Sequence, residues 1–527
     1  RILNRINSAS PTSIMGSVSS NGRVYFINRA GVVFGKEARI DVAGLFAAAG
    51  NITNGDFIAG RDRVTGMQGQ VRNHGVINGG KEVVLAGRSV VNTGTIETGA
   101  GGLVAMVAGD TVTLHRSGGR VGVQVSGGTK ALGGGGNAGT GSSATGILNS
   151  GTVRSPGGRM VAMAGDLASL AINLEGTILA QSVDVDGGAK GNVRVAGLID
   201  ATGAGNGRAI GGTVHVTGRD VLVTDAARID ASGPRGGGEV LIGGGYQGAD
   251  ARVRNAVNVV MERGALIRAD ATHVGDGGRV ILWSDRRTDF LGIASVRGSG
   301  AAGRGGFVET SGKLHLNFDG VADVRGSVDG LGGTLLLDPG FLIVQNTAGG
   351  VDTLGISALN SQLALGNVVI QNSGVNQDSG IQWNATSTLT GLNSSSLTLN
   401  AQGAGAAVNI TAAPAFGTWT GDFNVVTQDG AITVGSAISR TAGNISMTAG
   451  GGNTIALNGA TVSTAGNVSF TGPVTLGANT TVSGGTGSVT FGGSVTGSGG
   501  NRNLTVNSTG ATTFGGSLSS IGVLTTN

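Results

Sequence analysis

The side chains that could carry out chemistry are few and widely separated in this chain. Its five histidines each stand alone in sequence, without a second ligand or a catalytic partner at the spacing of metal sites or triads. They are His74, His115, His215, His273 and His315. Cysteine is absent, which excludes disulfides, thiolate zinc sites and cysteine nucleophiles. The sequence therefore predicts no catalytic residue, no bound metal and no cofactor.

Aspartates near the ends of short apolar runs are the remaining candidates for catalysis. A polysaccharide lyase or hydrolase needs carboxylates clustered on one surface, often beside an arginine. The candidates for such a cluster are Asp186, Asp200, Asp225, Asp230 and Asp270. Because aspartate at strand ends commonly accepts hydrogen bonds from turns, we interpret these five as turn residues.

Two further patterns imitate binding sites. The segment GAGNGRAIGG from Gly203 is like a nucleotide-binding glycine loop, but no helical pattern follows it, and we interpret it as a turn. The large aromatic residues with a polar atom are spread along the chain, which favours core packing over a groove for sugars. They are Tyr25, Tyr246, Trp283, Trp383 and Trp419.

The composition indicates many short strands joined by tight turns. Of the 527 residues, 104 are glycine and 6 are proline, while 3% are aromatic and 13% are charged. Collagen would need glycine at every third position, and a disordered chain would contain more charge and proline. No run of about 18 apolar residues occurs, so the sequence predicts no membrane-spanning helix.

Charge is distributed unevenly. Up to Lys313 there are 32 basic and 23 acidic residues, a net charge of +9, whereas beyond it 3 arginines and 8 aspartates give −5. The basic residues are scattered singly, without a basic helix or run, which argues against nucleic acid as a partner. A weakly basic surface of this kind suits anionic glycans or an anionic cell envelope.

A repeated pair of glycines followed by a β-rich run predicts the architecture. Most steps between successive pairs are near one or two multiples of about 27 residues. The second glycine of each pair stands at 80, 102, 158, 212, 238, 278, 306 and 333. An Asn-x-Gly motif interleaves with these pairs, in VRNHGVI from Val71, VVNTGTI from Val90 and ILNSGTV from Ile147. Asparagines at such repeating turns can hydrogen-bond from one repeat to the next.

These repeats favour a solenoid. One repeat cannot bury its apolar side alone, whereas repeats stacked at the strand spacing of about 4.8 Å bury a continuous column of small aliphatic residues. We predict an all-β fold, a right-handed parallel β-helix with small extra-helical β elements and one short helix.

The helix is predicted at roughly 354–365, where leucines recur at near-helical spacing. Asp352 or Thr353 could provide its N-cap and Gly366 its end. Beyond Gln371 the chain is nearly uncharged and rich in Ser, Thr, Asn and Gly. There Phe470, Phe491 and Phe514 recur at steps of 21 and 23 residues, so we expect their rings to stack.

The most specific stretch runs from Asn4 to Gly44, in short apolar runs broken by glycine or asparagine. Its distinctive segments are NRI from Asn4, PTSIMG from Pro11, NGRVYFIN from Asn21 and GVVFGK from Gly31. In these segments the chain resembles the secretion domain of two-partner-secreted exoproteins, the filamentous haemagglutinin family. The family usually has Asn-Pro-Asn-Gly at the centre and a further stretch with a signal peptide before it. Here the centre reads Asn28-Arg29-Ala30-Gly31. Because Arg1 is not a start residue, we expect the chain to be a fragment that lacks the preceding stretch.

The resemblance implies a set of secretion-motif residues and a division of the chain. The motif residues are Asn28, Gly31, Val32, Phe34 and Gly35. We predict a haemagglutinin-type secretion domain at 1–130, glycine-rich β-helix repeats at 131–340, a transition segment with the short helix at 341–372, and uncharged solenoid repeats at 373–527. The stretch from Leu132 to Thr145 is expected to be a loop or boundary.

The resemblance also implies a function. We expect a rod-like protein, secreted to the cell surface of a Gram-negative bacterium through an outer-membrane β-barrel transporter with periplasmic recognition domains. Its expected role is adhesion or biofilm structure, with a host or bacterial cell surface or a glycan as partner, and lateral or end-to-end self-association. Two alternatives stay open: a stalk that presents a C-terminal toxin or effector, and a β-helix enzyme that degrades polysaccharides.

Overall fold

The computed structural model describes residues 1–117, 120–126, 145–165, 170–202, 210–347, 350–372, 380–391 and 395–527. Within them, short parallel strands stack coil upon coil, and the predicted parallel β-helix is confirmed. Most of the predicted loop from Leu132 to Thr145 and of the turn from Gly203 lies outside the described residues. The chain forms two compact units, residues 1–273 with 278–282, and residues 274–277 with 283–527.

In the first unit each coil has three strands, which lie on faces 1, 2 and 3. Long strands turn a corner and contribute first to face 3 and then to face 1; these are Ser17–Ile27, Arg39–Ala48, Val76–Gly87, Thr152–Ala164 and Thr177–Asp186. Face 1 also contains Ile2–Arg5, Leu103–Ala108, Thr213–Thr217, Glu239–Ile242 and the start of Arg279–Phe290. Face 2 contains Thr12–Ile14, Gly31–Phe34, Gln70–Asn73, Ser89–Asn92, Ile147–Asn149, Leu170–Leu174, Asn192–Val195, Asp220–Val223 and Ala256–Met261. Face 3 is completed by Thr95–Thr98, Leu198–Asp200, Arg228–Asp230 and Leu266–Arg268.

Two excursions from the coils of the first unit form an extra-helical layer. The first contains the helix α1, Asn54–Ile58, whose N-cap Thr53 accepts a hydrogen bond from the backbone N–H of Asp56. An antiparallel sheet of Asp62–Val64, Thr111–Ser117 and Arg120–Ser126 joins the two excursions. This layer confirms the expected small extra-helical β elements, and α1 is a helix that the sequence pattern did not predict. A short 3₁₀ turn, Tyr246–Gly248, lies in a later excursion.

In the second unit three strands per coil lie on faces A, B and C. Face A contains Phe307–Gly312, Thr334–Leu337, Asn367–Asn372, Leu397–Ala404, Phe423–Asp429, Ile445–Ala449, Val468–Thr471, Val489–Phe491 and Thr512–Phe514. Face B contains the end of Arg279–Phe290, His315–Phe318, Thr353–Gly355, Phe341–Gln345, Gly380–Trp383, Ala407–Ile410, Ile432–Val434, Ile455–Leu457, Val474–Leu476, Val495–Gly497 and Leu518–Ser519. Face C contains Ile293–Ser295, Val321–Asp323, Thr388–Leu389, Ala415–Phe416, Ile438–Ser439, Thr461–Ser463, Thr480–Gly485, Arg502–Ser508 and Ile521–Thr526.

The predicted helix is present as α2, Ile356–Leu363, and it takes the place of a strand on face C. Its Gln362 carboxamide accepts a hydrogen bond from the N–H of Ala322, and its Asn360 amide donates to the carbonyl of Thr388. Side chains of the helix therefore continue the ladder that a strand backbone would have made. No helix among the described residues is long and apolar enough to cross a membrane.

The predicted N-cap of α2 is wrong. The N-cap is Gly355, without a side-chain hydrogen bond, because the preceding Thr353–Gly355 is held extended against Phe341–Gln345. Asp352 has a left-handed backbone at φ 58°, and its carboxylate accepts a hydrogen bond from the N–H of Leu316. Pairing between coils has overridden the local capping signal.

The glycine pairs form a ladder at the corner before the first strand of each coil. A Cβ on Gly238 would lie 2.0 Å from the carbonyl oxygen of Gly212, and one on Gly278 would lie 2.1 Å from that of Gly238. Neighbouring coils approach too closely for any larger residue. The step of 56 residues from Gly102 to Gly158, expected to hold two repeats, is one coil with an excursion, because Leu103–Ala108 pairs directly with residues 159–164.

Small aliphatic side chains fill the core of both units, and aromatic rings enter it in stacks. Trp383, Trp419 and Tyr25 are among the largest fully buried side chains, whereas Tyr246 is 43% exposed. The predicted ring stack is confirmed, since Phe491 lies 5.1 Å between centroids from both Phe470 and Phe514. Packing, not ligand binding, accounts for most of the large aromatic residues.

Candidate functional site

Asn28 closes the turn between faces 1 and 2 and is the centre of the predicted secretion motif. Its Oδ1 accepts a hydrogen bond from the N–H of Ala30 at 3.0 Å, and its carbonyl accepts one from the N–H of Gly31 at 2.9 Å. Its Nδ2 donates to the carbonyl of Ser10 and to the hydroxyl of Thr12, both at 2.9 Å. The side chain is 1% exposed, so these bonds join the turn to the preceding coil in the absence of competing water.

Gly31 and Gly35 occupy positions that exclude a side chain. Gly31 has φ +128°, and a Cβ there would lie 2.7 Å from the carbonyl oxygen of Gln70 in the next coil. A Cβ on Gly35 would lie 2.2 Å from the sulfur of Met15 in the previous coil. The two glycines thus allow three successive coils to come into contact at the motif.

Val32 and Phe34 lie between these glycines and point into the core. Both are fully buried, and they pair with Thr12 and Ile14 of the previous coil. The Phe34 ring packs edge-on against Phe26 at 6.3 Å between centroids. The structure therefore brings all five predicted motif residues into one turn and the strand that follows it.

Arg29 and Ala30, which stand where the family has proline and asparagine, are the two central residues of this turn. The Arg29 side chain is exposed, and the Ala30 N–H is satisfied by Asn28. Because the asparagine side chain and the backbone of Gly31 close the turn, it forms without a proline or a second asparagine at these positions.

A buried polar cluster fastens the extra-helical layer to face 1 of the same coils. The Tyr25 hydroxyl donates to the Asp62 carboxylate at 2.7 Å, and burial raises the pKa of this hydroxyl. Arg23 lies 3.4 Å from Asp62 and also pairs with Glu82. Both carboxylates are almost fully buried, and Arg23 is a cation that they share.

An apolar cluster continues from these polar groups beneath the antiparallel sheet. The ring of Tyr25 stacks on Phe46 at 5.3 Å between centroids and meets Phe57 of α1 edge-on at 5.2 Å. The other fully buried members are mostly β-branched or alanine, and they come from four coils and both excursions; they include Ile27, Ile52, Val64, Val84, Val107 and Val112. The extra-helical layer and the four coils therefore share one buried apolar core.

The Asn-x-Gly motifs form a second ladder at the corner between faces 2 and 3. Asn73 donates to Asn92 at 2.9 Å, and Asn92 donates to Asn149 at 2.8 Å. All three side chains are fully buried. The predicted coil-to-coil bonding of turn asparagines is confirmed.

A row of alternating charges runs along face 1 and includes one of the isolated histidines. The ring nitrogens of His215 lie 3.3 Å from Asp184 on one side and 3.3 Å from Glu239 on the other. Arg159 extends the row at 2.7 Å from Asp184, and Arg279 of the next coil extends it at 4.0 Å from Glu239. Glu239 also lies 3.5 Å from Arg252, which pairs with Asp250 at 2.6 Å. Sequence reasoning did not find this row, although alignment of the glycine pairs places Glu239 beside Thr213, two residues from His215.

The row stabilises the protonated form of the histidine. Burial opposes a charge on the ring, but the hydrogen bonds and charges of Asp184 and Glu239 outweigh it and raise the pKa of His215 to about 9. The hydrogen bond from His215 lowers the pKa of Glu239. Burial opposes the charge on Asp184, yet His215 and Arg159 lower its pKa. At neutral pH these groups are ionised and paired, as in a structural ion network.

Three of the other histidines contact polar side chains. His74 contacts the Thr93 hydroxyl at 2.7 Å, His273 contacts that of Thr272 at 3.1 Å, and His315 contacts the Asp352 carboxylate at 2.7 Å. The side chain of His115 lies outside the described residues. Among the described residues, no three His, Asp or Glu side chains are grouped so that they could hold a metal ion.

The five candidate aspartates serve turns or lie apart. The carboxylates of Asp186, Asp200 and Asp230 each accept a hydrogen bond at 2.9 Å from the N–H two residues ahead. Asp200 and Asp230 are register partners on face 3, so the structure brings these two into adjacent coils. Asp225 and Asp270 use their backbone N–H groups to bond Glu262 and Ser232.

Comparisons with known proteins agree with the motif. Residues 1–195 match the TPS secretion domain family, where TPS denotes two-partner secretion. The crystal structure of the HMW1 secretion domain from Haemophilus influenzae is similar, with 27% identity and a TM-score of 0.50 over 64% of this chain and 85% of that one. Residues 1–195 therefore form a two-partner secretion domain. A two-partner secretion exoprotein is a secreted protein of Gram-negative bacteria.

A curated relative of this chain is the heme/hemopexin-binding protein of Haemophilus influenzae. The two are 33% identical over 124 residues, which are 22% of this chain and 14% of the relative. The similarity therefore covers a small part of that protein.

Proposed function

We propose that this exoprotein leaves the cell through an outer-membrane β-barrel transporter whose periplasmic domains recognise the N-terminal secretion domain. The match of residues 1–195 to the secretion domain family carries this proposal. The turn at Asn28 supports it, because a buried polar side chain with three hydrogen-bonded partners holds the motif in one conformation.

An export assay with the cognate transporter tests the proposal. Removal of residues 1–120 is expected to abolish release of the protein, and Asn28→Ala is expected to reduce it by about tenfold because three neighbours of Asn28 lose their hydrogen bonds. Asn78→Ala, at an exposed asparagine of the same domain, is the matched control and should leave export unchanged. Release of the truncated protein at the normal level would overturn the proposal.

After export, we propose, the protein acts in attachment at the bacterial surface, through contacts with a cell surface or glycan and with other copies of itself. Its long rows of exposed strand residues offer a repeating surface, which supports binding to repeating partners. Co-sedimentation of the purified protein with intact cells tests this role, and analytical ultracentrifugation tests self-association. If the protein binds neither cells nor polysaccharides, a stalk that presents a C-terminal effector becomes the better hypothesis.

We also propose that the protein is not an enzyme. The turn hydrogen bonds of Asp186, Asp200 and Asp230 support this, because they give each carboxylate a structural role in its own turn. Incubation with a panel of polysaccharides should release no reducing ends or unsaturated products. Release of either would overturn the proposal, and loss of that activity in Asp200→Asn would then locate the site. No haem ligand is proposed, since the similarity to the heme/hemopexin-binding protein covers 14% of that protein.

A further inference from the structure

Face C carries an ordered array of polar side chains, mostly hydroxyl groups, over its last five coils. One outward column consists of threonine alone and runs in register through Thr461, Thr481, Thr505 and Thr525. A second column, two residues further along each strand, contains Ser439, Ser463, Ser483 and Asn507. The residues between the columns, Val462, Val482 and Val506, are buried, so strand alternation directs both polar columns outward.

The array is regular and stiff. Neighbouring members of a column are separated by the strand spacing of about 4.8 Å, and the columns by the two-residue rise of about 6.7 Å. Threonine is restricted at χ1 by its β-branch, so each threonine presents a methyl and a hydroxyl group in a fixed direction. A partner with matching groups would bind without the entropic cost of ordering long side chains.

The array is also almost free of charge. Between residues 441 and 527 the only charged residue in the sequence is Arg502, and its Nε donates to the carbonyl of Ser498 at the corner before the strand. An anionic polymer would gain no ion pair from the two columns. A neutral polymer could cover them without burying a charge that lacks a partner. The face therefore matches an uncharged partner that offers hydroxyl groups and apolar CH groups at a regular spacing.

We propose that this part of face C binds a neutral, extended β-1,4-linked polysaccharide that lies along the columns, at about one sugar per coil. Threonine and serine hydroxyls can each donate and accept, as sugar hydroxyls do, and the threonine methyl groups meet the CH faces of the rings. This inference rests on the proposed attachment function and names its partner.

Co-sedimentation of the full chain with microcrystalline cellulose tests the inference. Binding should saturate and should change little over a tenfold range of salt, because no charges take part. The double variant Thr481→Val and Thr505→Val keeps the side-chain shape and removes two hydroxyls, and it should bind at least tenfold more weakly. Circular dichroism and thermal unfolding of the variant should match the wild type.

The matched control is the double variant Thr475→Val and Thr496→Val, at outward register partners on face B. It should bind cellulose as the wild type does. Equal losses in both variants, or no binding of the wild type to cellulose, would overturn the inference, as would binding confined to an anionic polymer such as alginate. If intact cells are still bound in any of these cases, the attachment function stands while its assignment to face C fails.

Discussion

The side-chain amide of Asn92 donates a hydrogen bond of 2.8 Å to Oδ1 of Asn149, although 57 positions separate the two residues. Between them the chain leaves the β-helix for an antiparallel pair of strands and then returns in register, with Val90 beside Ile147. Asn73 and Asn92, 19 positions apart, make the same bond without an excursion between them. The turn ladder therefore keeps the coils in register whatever length of chain is inserted between two of its members.

Asn92→Ala should be strongly destabilising, because Asn92 both accepts from Asn73 and donates to Asn149. Both buried partners lose a hydrogen bond, and a loss of this kind costs roughly 1–3 kcal/mol. The free energy of unfolding from urea titration should fall accordingly. Asn78→Ala, where the exposed asparagine donates to Asp41, should change it by less than about 0.5 kcal/mol. Equal effects in the two variants would contradict a role for the buried ladder.

Gly151→Ala should be more damaging than its small change in size suggests. A Cβ at Gly151 would lie 2.1 Å from the carbonyl oxygen of Gly94 in the adjacent coil, where neither backbone can move without breaking the ladder. We expect a loss of about 3 kcal/mol or more, or failure to fold. The control is Gly16→Ala, where nothing lies within 4 Å of the added carbon. A soluble Gly151→Ala protein with the wild-type urea midpoint would show that the coils can separate locally.

Much of the fold could be predicted because the repeated residues are themselves the ones that contact the neighbouring coil. The glycine pairs and the Asn-x-Gly turns occupy the corners where one coil approaches the next. The position of these residues in the sequence therefore indicates their position in the coil. Excursions are different, because they obey no period. The repeat pattern assigns two repeats to the 56-residue step before Gly158, and it does not predict the helix α1. Both excursions pack on distant residues such as Tyr25 and Val84, which no local pattern reveals.

The candidate site was predicted in part for the same reason. Asn28 and Gly31 carry a turn signal that is local in sequence, and the structure places them in such a turn. The charge row through His215 was not predicted, because its members come from successive coils and only the register brings them together. The predicted N-cap of α2 is wrong because the pairing of Thr353–Gly355 between coils outweighs a local cap.

Stability should depend on pH through His215. Its pKa in the folded protein is raised to about 9 from the ordinary value of 6.5, so the charged ring stabilises the fold fully below about pH 6.5. This contribution should be lost as the pH rises from 6.5 through 9, by up to about 3 kcal/mol. Asp184 and Glu239 remain ionised throughout, because their pKa values are lowered. Urea unfolding at several pH values measures the loss.

The variant His215→Gln separates this effect from other titrations. It should be less stable than the wild type at pH 6, and the difference should shrink as the pH approaches 10 because the wild-type ring loses its proton. His74→Gln removes an imidazole that contacts the Thr93 hydroxyl outside the row, and it is the control for loss of a histidine ring: it should not reproduce the difference between the wild type and His215→Gln. Parallel profiles for the wild type and His215→Gln would show that the ring does not carry the charge in the row.

Arg440 should hold the aromatic residues of face C in place. Its guanidinium lies 4.9 Å from the ring centroid of Phe416 and 4.6 Å from that of Trp419, and its Nη1 donates to the carbonyl of Asn444 at 2.9 Å. Trp419 is 1% exposed beneath it. Arg440→Ala should cost about 2–4 kcal/mol and shift the tryptophan emission to longer wavelength, since water then reaches the indole.

The lysine variant tests whether the planar group matters as well as the charge. Arg440→Lys keeps a cation but cannot make the forked bonds to the carbonyls of Asn444 and Gly421 or stack flat on the rings. Its loss of stability should therefore approach that of Arg440→Ala. Arg502→Ala, at an arginine that bonds the carbonyl of Ser498, should leave the emission spectrum unchanged. An Arg440→Lys protein as stable as the wild type would show that a positive charge alone holds Trp419, and an unshifted spectrum in Arg440→Ala would show that the indole is covered without the arginine.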